Sequence, residues 1–252
     1  MPELGAAAES AATPQCPVCD GAAQAFEMTA NGHDLYRCGG CATLYVHGLP
    51  SSIDLAATYE DSYDGATTGY FAKVDKKMRR ARGRIRALRR YKDGGRFLDI
   101  GCNGGFVVEA AREAGFDAWG LEVDGVSIAY ARQHYPANGY HLGIVEDFRP
   151  DRGFDLIYSS EVIEHVADPR AFVGAIVRLL NPGGVLYLTT PDISHWRRPR
   201  DLGRWDGFNP PVHCVYFNPR SLRLLLENSG LQIVRKLPAF KPGMKFIARK
   251  RL

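Results

Sequence analysis

The first regular pattern along the chain predicts an amphipathic helix. Apolar residues recur at spacings of three and four from Val74 to Leu88, so they share one helical face. Basic residues fill the other faces, and Gly94-Gly95 marks the predicted end of the helix. The basic faces could be solvated or could dock an anionic partner or substrate. Charge runs are common on amphipathic helices, which favours solvation.

From residue 96 onward, short apolar runs alternate with helical segments. Strands are predicted at 96–100, 117–122, 140–145, 154–159, 185–190, 231–237 and 244–249, and helices at 105–114, 126–134, 170–180 and 221–228. Residues 181–184, Asn-Pro-Gly-Gly, have the chemistry of a turn leading into a strand. The alternation predicts an α/β fold with helices on both faces of a mostly parallel sheet. In such sheets, ligands bind beyond the carboxyl ends of the strands.

Composition and charge narrow the class of protein. The 252 residues are 45% hydrophobic and 24% charged, which is ordinary for a globular protein of one or two domains. No apolar run approaches the roughly 20 residues of a membrane span, and the Ala-rich start lacks the features of a signal peptide. We therefore expect a cytoplasmic protein with a flexible tail at 1–13.

The positive charge is concentrated in one segment. Residues 73–96 hold 12 basic and 2 acidic residues, which gives this segment a charge of +10 in a chain of net charge +4. The basicity is therefore local and is not the chain-wide signature of a nucleic-acid-binding protein, so a nucleic-acid partner is not expected.

Four cysteines form a box with the spacing of a zinc ribbon. There are two Cys-x-x-Cys pairs, Cys16 with Cys19 and Cys38 with Cys41, and the segment between the pairs has the length typical of such ribbons. Four thiolates close a tetrahedral shell, so the zinc would be structural and would fold residues 14–50. A redox dithiol explains one pair but not two, and two disulfides do not suit a chain without an export signal.

A glycine loop follows the strand at 96–100. Gly101 and Gly105 allow close backbone approach to a ligand, Asp99 stands just before the loop, and Glu122 ends the next strand. Glu122 stands 21 residues after Gly101. A carboxylate at about this position after the loop can accept hydrogen bonds from both hydroxyls of a ribose. A dinucleotide fingerprint would need glycine where Asn103 and Phe106 stand, and Asp99 would repel a pyrophosphate.

Four stretches carry a family resemblance: LDIGCNGGF, WGLEVD, FDLIYSSEVIEHVADP and RLLNPGGVLYLTTP. In this order they resemble the motif series of class I S-adenosylmethionine-dependent methyltransferases, over residues 96–250. The resemblance implies a Rossmann-like, doubly wound, mostly parallel seven-stranded sheet at 96–252, preceded by a Tyr-rich linker and the basic helix at 51–95. The cysteine box and linker resemble a bacterial subgroup from natural-product, deoxysugar and cell-surface polysaccharide pathways. Families of this kind usually have glycine at position 103, but deoxysugar C-methyltransferases carry asparagine there.

The resemblance also implies residue roles. Asp99 would lie near the methionine ammonium, Glu122 would hold the ribose, Val123 would flank the adenine, and Glu146 or Asp147 would contact the adenine. The implied cofactor-binding set is Tyr70, Asp99, Gly101, Cys102, Asn103, Gly105, Glu122, Val123, Glu146, Asp147 and Ser160. The implied cofactor is S-adenosyl-L-methionine, with structural Zn²⁺ in the cysteine box. The implied acceptor is a small molecule, methylated on O, N or C. Methylation of RNA or protein, and a non-catalytic binding homologue, are the alternatives.

Two further features bear on the chemistry. Glu161 and His165 have a spacing of four, which would put them on one helix face. They could form half of a metal site, but no third ligand lies at ligand spacing, which favours His165 as a local structural partner. The aromatic- and arginine-rich insert at 192–217 is expected to contact the substrate. Its arginines could be solvated or could recognise an acidic substrate. Its His213 is the candidate base, with packing against the following helix as the alternative.

Overall fold

The computed structural model describes residues 14–21, 24–48 and 73–251. The linker at 51–72, with Tyr70, and the tail at 1–13 lie outside the described residues, so the predictions made for them stay predictions. In the described ranges, every helix is too short or too polar to cross a bilayer.

The main sheet confirms the predicted fold class. Its strands are β4 (Arg96–Ile100), β5 (Asp117–Glu122), β6 (Gly139–Leu142), β7 (Phe154–Ser160), β8 (Leu180–Thr190), β10 (Leu231–Leu237) and β11 (Met244–Lys250). Within the described chain these seven strands run in the order β10-β11-β8-β7-β4-β5-β6. The five from β8 to β6 are parallel, and the final hairpin adds two antiparallel strands.

Helices cover both faces of this sheet. They are α1 (Val74–Leu88), α2 (Phe106–Glu113), α3 (Gly125–His134), α4 (Pro169–Leu179) and α5 (Pro219–Asn228). Buried side chains of α1, α2 and α3 pack in one core with Phe97, whereas those of α4 and α5 pack in a second core with Leu98. Successive residues of β4 therefore serve opposite faces, as the pleat of a strand requires.

A smaller sheet is built from the cysteine segment. It contains β1 (Gln24–Ala30), β2 (His33–Cys38) and β3 (Leu44–Val46), all antiparallel. The insert at 192–217 supplies its fourth described strand, β9 (Val215–Tyr216), which pairs with β3. The insert also packs Trp205 and Phe208 against the core beneath this sheet. The aromatic content of the insert is thus partly structural.

Three sequence-based boundaries need correction. Helix α1 ends at Leu88, because the buried stripe stops there and the Tyr91 N–H bonds back to the Leu88 carbonyl; it does not extend to Gly94-Gly95. Asn181-Pro182-Gly183-Gly184 does not precede β8 but lies inside it as a bulge, since Leu180 pairs with Phe154 and Val185 pairs with Leu156. Strand β6 ends at Leu142 instead of residue 145.

Candidate functional site

A cavity of about 510 Å³ opens at the carboxyl ends of β4, β5 and β7. Its lining combines the loop after β4, the residues after β5, the end of β7 and one face of α1. The lining includes Lys77, Arg80, Arg84, Asp99, Gly101, Cys102, Asn103, Glu122, Val123, Ser160, Glu161 and His165. The sequence prediction of a ligand site at these strand ends is therefore matched by a cavity of the size that small ligands need.

The loop after β4 has a backbone that favours glycine. Gly101 and Gly105 have φ values of 75° and 77°, in the left-handed region. A Cβ on Gly101 would lie 2.5 Å from Val162 Cγ2, and one on Gly105 would lie 2.7 Å from Tyr140 Oη. Asn103 also has a positive φ, 46°, a conformation that asparagine tolerates better than most residues. Asparagine at the usual glycine position is thus compatible with the loop.

Glu122 is held by the backbone around it. Its carboxylate accepts hydrogen bonds from the backbone N–H groups of Asn103 at 2.9 Å, Val123 at 2.8 Å and Asp124 at 3.2 Å. Burial raises the pKa of Glu122, and these hydrogen bonds oppose the rise. A carboxylate has about four acceptor positions, so it can still receive hydroxyl groups from the cavity side.

Asp99 is buried at the end of β4 and lines the same cavity. Burial raises its pKa well above the usual range, and the neighbouring charge of Glu122 raises it further, whereas Arg84 opposes the rise. Two carboxyl groups in one buried region favour a cationic ligand group, because a cation relieves their mutual repulsion.

One wall of the cavity is basic. Lys77, Arg80 and Arg84, on α1, all line it. Arg84 Nη1 donates to Tyr158 Oη at 3.0 Å, and burial lowers the pKa of Lys77. Arg80 and Arg84 are exposed, in keeping with the expected solvated face, and Lys77 is half-buried. All three nevertheless border the cavity, where an anionic group of a ligand could reach them. Their spacing of three and four along the helix was the signal for a shared face.

A narrower slot of about 110 Å³ adjoins the cavity beyond Gly101 and Glu122. Val123 and Glu146 line it. Glu146 Oε1 is buried, and no hydrogen-bond partner from the described residues reaches it. Asp147 is exposed and lines neither of these two cavities. Of the two acids offered for an adenine contact, the geometry favours Glu146.

The other predicted side chains differ in burial and in their contacts with the cavity. Cys102 is buried, burial raises its thiol pKa well above the usual value, and its backbone belongs to the loop. Ser160 Oγ lies 2.8 Å from Thr189 Oγ1 at the cavity wall. Cys214, in the insert, is buried.

Glu161, Glu164, His165 and His213 meet beside the cavity. The expectation that Glu161 and His165 share a helix face is wrong. Glu161 has a φ of 58°, and in this segment only Ile163–His165 form a helical turn, which is a short 3₁₀ turn.

The rings of His165 and His213 meet edge to face, with their centroids 4.6 Å apart. Burial lowers the pKa of His165 to about 4 and also lowers the pKa of His213, so both rings are neutral at pH 7. His213 is not among the described residues that line either cavity, so its ring lies behind that of His165.

The four cysteines of the box come together as the spacing predicts. Cys16 Sγ lies 3.6 Å from Cys41 Sγ, and Cys19 Sγ lies 3.8 Å from Cys16 Sγ and 3.5 Å from Cys38 Sγ. A tetrahedron with Zn–S bonds of about 2.3 Å has S–S edges of about 3.8 Å. All four thiols are free of disulfides, so their geometry fits a structural zinc.

The cysteine segment contacts the α/β domain directly. The Arg170 guanidinium donates to the carbonyls of Cys16 at 2.7 Å and Pro17 at 3.1 Å, and it pairs with Asp20. Asn218, which caps α5, donates to the Cys41 carbonyl at 3.1 Å. These contacts tie the metal-binding loops to helices of the main domain.

Comparison with known proteins places this geometry in context. A family described as the methyltransferase domain matches residues 70–236. A ubiquinone biosynthesis O-methyltransferase from Rhodopseudomonas palustris (strain TIE-1) is 31% identical over 160 residues. That match covers 55% of this chain and 62% of the relative, so the chain spans less than two thirds of the relative's length.

Solved structures share the fold at low identity. A magnesium protoporphyrin IX methyltransferase from Synechocystis PCC 6803, with bound S-adenosylhomocysteine, has a TM-score of 0.58 at 14% identity, covering 77% of this chain and 99% of that one. An amino pentose methyltransferase from Micromonospora echinaspora has a TM-score of 0.52 at 20% identity, covering 75% and 96%.

Proposed function

The chain belongs to the methyltransferase domain family, and from that premise we propose that it transfers a methyl group from S-adenosylmethionine to a small-molecule acceptor. The observation that carries the proposal is the position of Glu122. Its carboxylate ends β5, faces the 510 Å³ cavity and is fixed by three backbone N–H groups of the surrounding loops. This is the placement that a ribose ligand requires at the second strand of such a sheet.

The cavity walls fit the other parts of S-adenosylmethionine. A cationic group of the ligand beside Asp99 would favour the charged form of that carboxyl, and Lys77 and Arg80 supply positive charge for the methionine carboxylate. The glycine positions 101 and 105 leave room for close backbone approach. The slot bounded by Val123 and Glu146 suits a flat apolar group with a polar edge, such as adenine.

When bound, S-adenosylmethionine supplies an electrophilic methyl group on a sulfonium. The protein's task is then to orient the acceptor in line and to exclude water, which accounts for much of the rate gain in such displacements. A hydroxyl or ammonium acceptor must also lose a proton, and a positioned base contributes roughly 10²–10⁴-fold. His213 stays our proposed base: its Nδ1 lies 3.0 Å from the Gly207 carbonyl oxygen, so Nε2 is the nitrogen that would take the proton. Its ring packs edge to face against His165, which lines the cavity.

The positions of the basic side chains on α1 favour a small acceptor over RNA or protein. Lys77, Arg80 and Arg84 face into the cavity, and Arg82 on an outer face is paired with Glu113 at 2.6 Å. The relatives named for ubiquinone and amino pentose methylation act on small molecules. By analogy we propose an acceptor from secondary metabolism or sugar biosynthesis.

Calorimetric titration of the full chain with S-adenosylhomocysteine tests cofactor binding. We expect one site per chain. Methyl transfer is then tested by incubating radiolabelled S-adenosylmethionine with panels of hydroxylated aromatic, amino sugar and deoxysugar acceptors. Binding without label transfer to any acceptor would favour the non-catalytic homologue, and absence of binding would refute the proposed function.

A further inference from the structure

The side chains of Glu164, His165 and His213 converge beside the 510 Å³ cavity, where Glu161 and His165 line it. One ligand atom from each residue lies within 4.8 Å of those of the other two. Metal bonds of about 2.0–2.3 Å place two ligand atoms at most about 4.6 Å apart, so small side-chain shifts bring all three onto one ion. We propose that these three residues bind a divalent transition-metal ion, separate from the ion of the cysteine box.

Hydrogen bonds set the state of both imidazole rings. Nδ1 of His165 lies 2.9 Å from the Val212 carbonyl oxygen, and Nδ1 of His213 lies 3.0 Å from the Gly207 carbonyl oxygen. A carbonyl only accepts, so each Nδ1 carries the hydrogen, and in the neutral ring Nε2 carries the lone pair. Histidines that ligate metals are oriented in this way, with the other ring nitrogen donating to a carbonyl or carboxylate.

Glu164 provides the second and independent observation. Its side chain is 1% exposed; Oε2 accepts from Thr190 Oγ1 at 2.9 Å, while no hydrogen-bond partner in the described residues reaches the buried Oε1. A buried carboxylate oxygen without a donor is costly, and a cation beside it removes that cost. Glu161, which contacts Glu164 and accepts from Thr189 Oγ1 at 2.8 Å, adds a second carboxylate at the same place.

The donor set indicates the kind of ion. Two imidazoles and a carboxylate suit first-row transition metals such as Mn²⁺, Fe²⁺, Co²⁺ and Zn²⁺ and leave positions open for a substrate. His165 and Glu161 line the cavity, so an open position faces the acceptor. An acceptor hydroxyl that reached the ion would lose its proton more readily, because the positive charge stabilises the alkoxide or phenolate. With the ion bound, His213 would serve as a ligand, and the ion instead of the His213 ring would promote loss of that proton. This consequence rests on the proposed function, whereas cation binding does not.

The test measures Mn²⁺ binding directly. Mn²⁺ prefers nitrogen and oxygen ligands to thiolates, so the cysteine box does not compete for it. The full chain is treated with a mild chelator and titrated with Mn²⁺, and the free ion is followed by electron paramagnetic resonance. We expect one Mn²⁺ per chain. His213→Ala and His165→Ala should each weaken binding by about 100-fold or more, since loss of an outer-shell partner alone costs about 10–100-fold. His134→Ala, on the exposed end of α3, is the matched control and should bind as the wild type does.

S-adenosylhomocysteine titrations on the same samples separate the two proposals, and thermal unfolding of each sample shows that the variants are folded. If wild-type protein leaves all Mn²⁺ in solution, or if both folded histidine variants bind it unchanged, the metal site is refuted even when S-adenosylhomocysteine binds normally. If Mn²⁺ binds in the histidine-dependent way but S-adenosylhomocysteine does not, the metal site stands and the proposed function fails.

Discussion

Replacing Glu122 separates its two roles, as ligand contact and as loop anchor. Glu122→Gln keeps the shape of the side chain but removes its charge. A hydrogen bond to a charged group is worth about 1.5–3 kcal/mol and a neutral one about 0.5–1.5 kcal/mol. The difference of about 1–1.5 kcal/mol corresponds to a roughly 5- to 13-fold rise in the Kd for S-adenosylhomocysteine.

Glu122→Ala is the stronger perturbation. It removes the whole ligand contact, so the Kd should rise by about 10- to 150-fold for a loss of about 1.5–3 kcal/mol. It also leaves the N–H groups of Asn103, Val123 and Asp124 without the acceptor that they have now. A buried donor left unsatisfied costs about 1–3 kcal/mol, which lowers Tm by about 2–4 °C per kcal/mol in a protein of this size.

Calorimetry and thermal unfolding provide the two readouts. Glu227→Gln, on α5 and paired with Arg223, is the matched control and should change neither. Because the pKa of Glu122 is raised, wild-type affinity should weaken as the pH falls through that raised pKa and Glu122 protonates, whereas the Gln variant should lack this component. A Kd for the Gln variant within twofold of wild type, with no loss of stability in the Ala variant, would contradict both roles.

Three other outcomes follow from the same geometry. After treatment with a mild chelator, the protein should retain one zinc per chain in the cysteine box, and Cys38→Ser should lose this zinc and lower Tm, as measured by elemental analysis and calorimetry. Equally stable protein without zinc would refute the zinc ribbon. Lys77→Met should raise the Kd for S-adenosylmethionine by about three- to fivefold, as expected for one part-buried ion pair of about 0.7–1 kcal/mol, whereas Lys76→Met on the exposed face should leave it unchanged. His213→Ala should reduce turnover by roughly 10²-fold or more with an unchanged cofactor Kd, and turnover within a few-fold of wild type would leave His213 a structural residue.

The parallel sheet could be predicted because its determinants are local. Each central strand is a short apolar run between turn signals, and the loop at Gly101 and the acid at Glu122 follow their strands at fixed spacing. The bulge at residues 181–184 could not be predicted, since its turn chemistry is the same whether it precedes a strand or interrupts one. Pairing of Leu180 with Phe154 decides the outcome, and that pairing is a tertiary contact.

The cluster of Glu164, His165 and His213 could not be predicted from the sequence. Ligand spacing predicts no third metal ligand near Glu161 and His165, whereas in the structure His213, from the distant insert, contacts His165. Its position depends on the insert, where the Cys214 N–H donates to the Glu164 carbonyl and the Val46 N–H donates to the Cys214 carbonyl. No spacing rule connects residues brought together by three separate segments.

The pairing of β3 with β9 has a consequence for how such a protein can be recombined. Leu44 lies opposite Tyr216, although most of the α/β domain separates them along the chain, so the metal-bearing segment and the insert form one structural unit. In a chimaera that exchanges the insert alone, β9 of the donor protein would have to pair with β3 of the recipient. We therefore expect an insert exchanged between related proteins to fold correctly only together with its own cysteine segment, which is not a removable appendage.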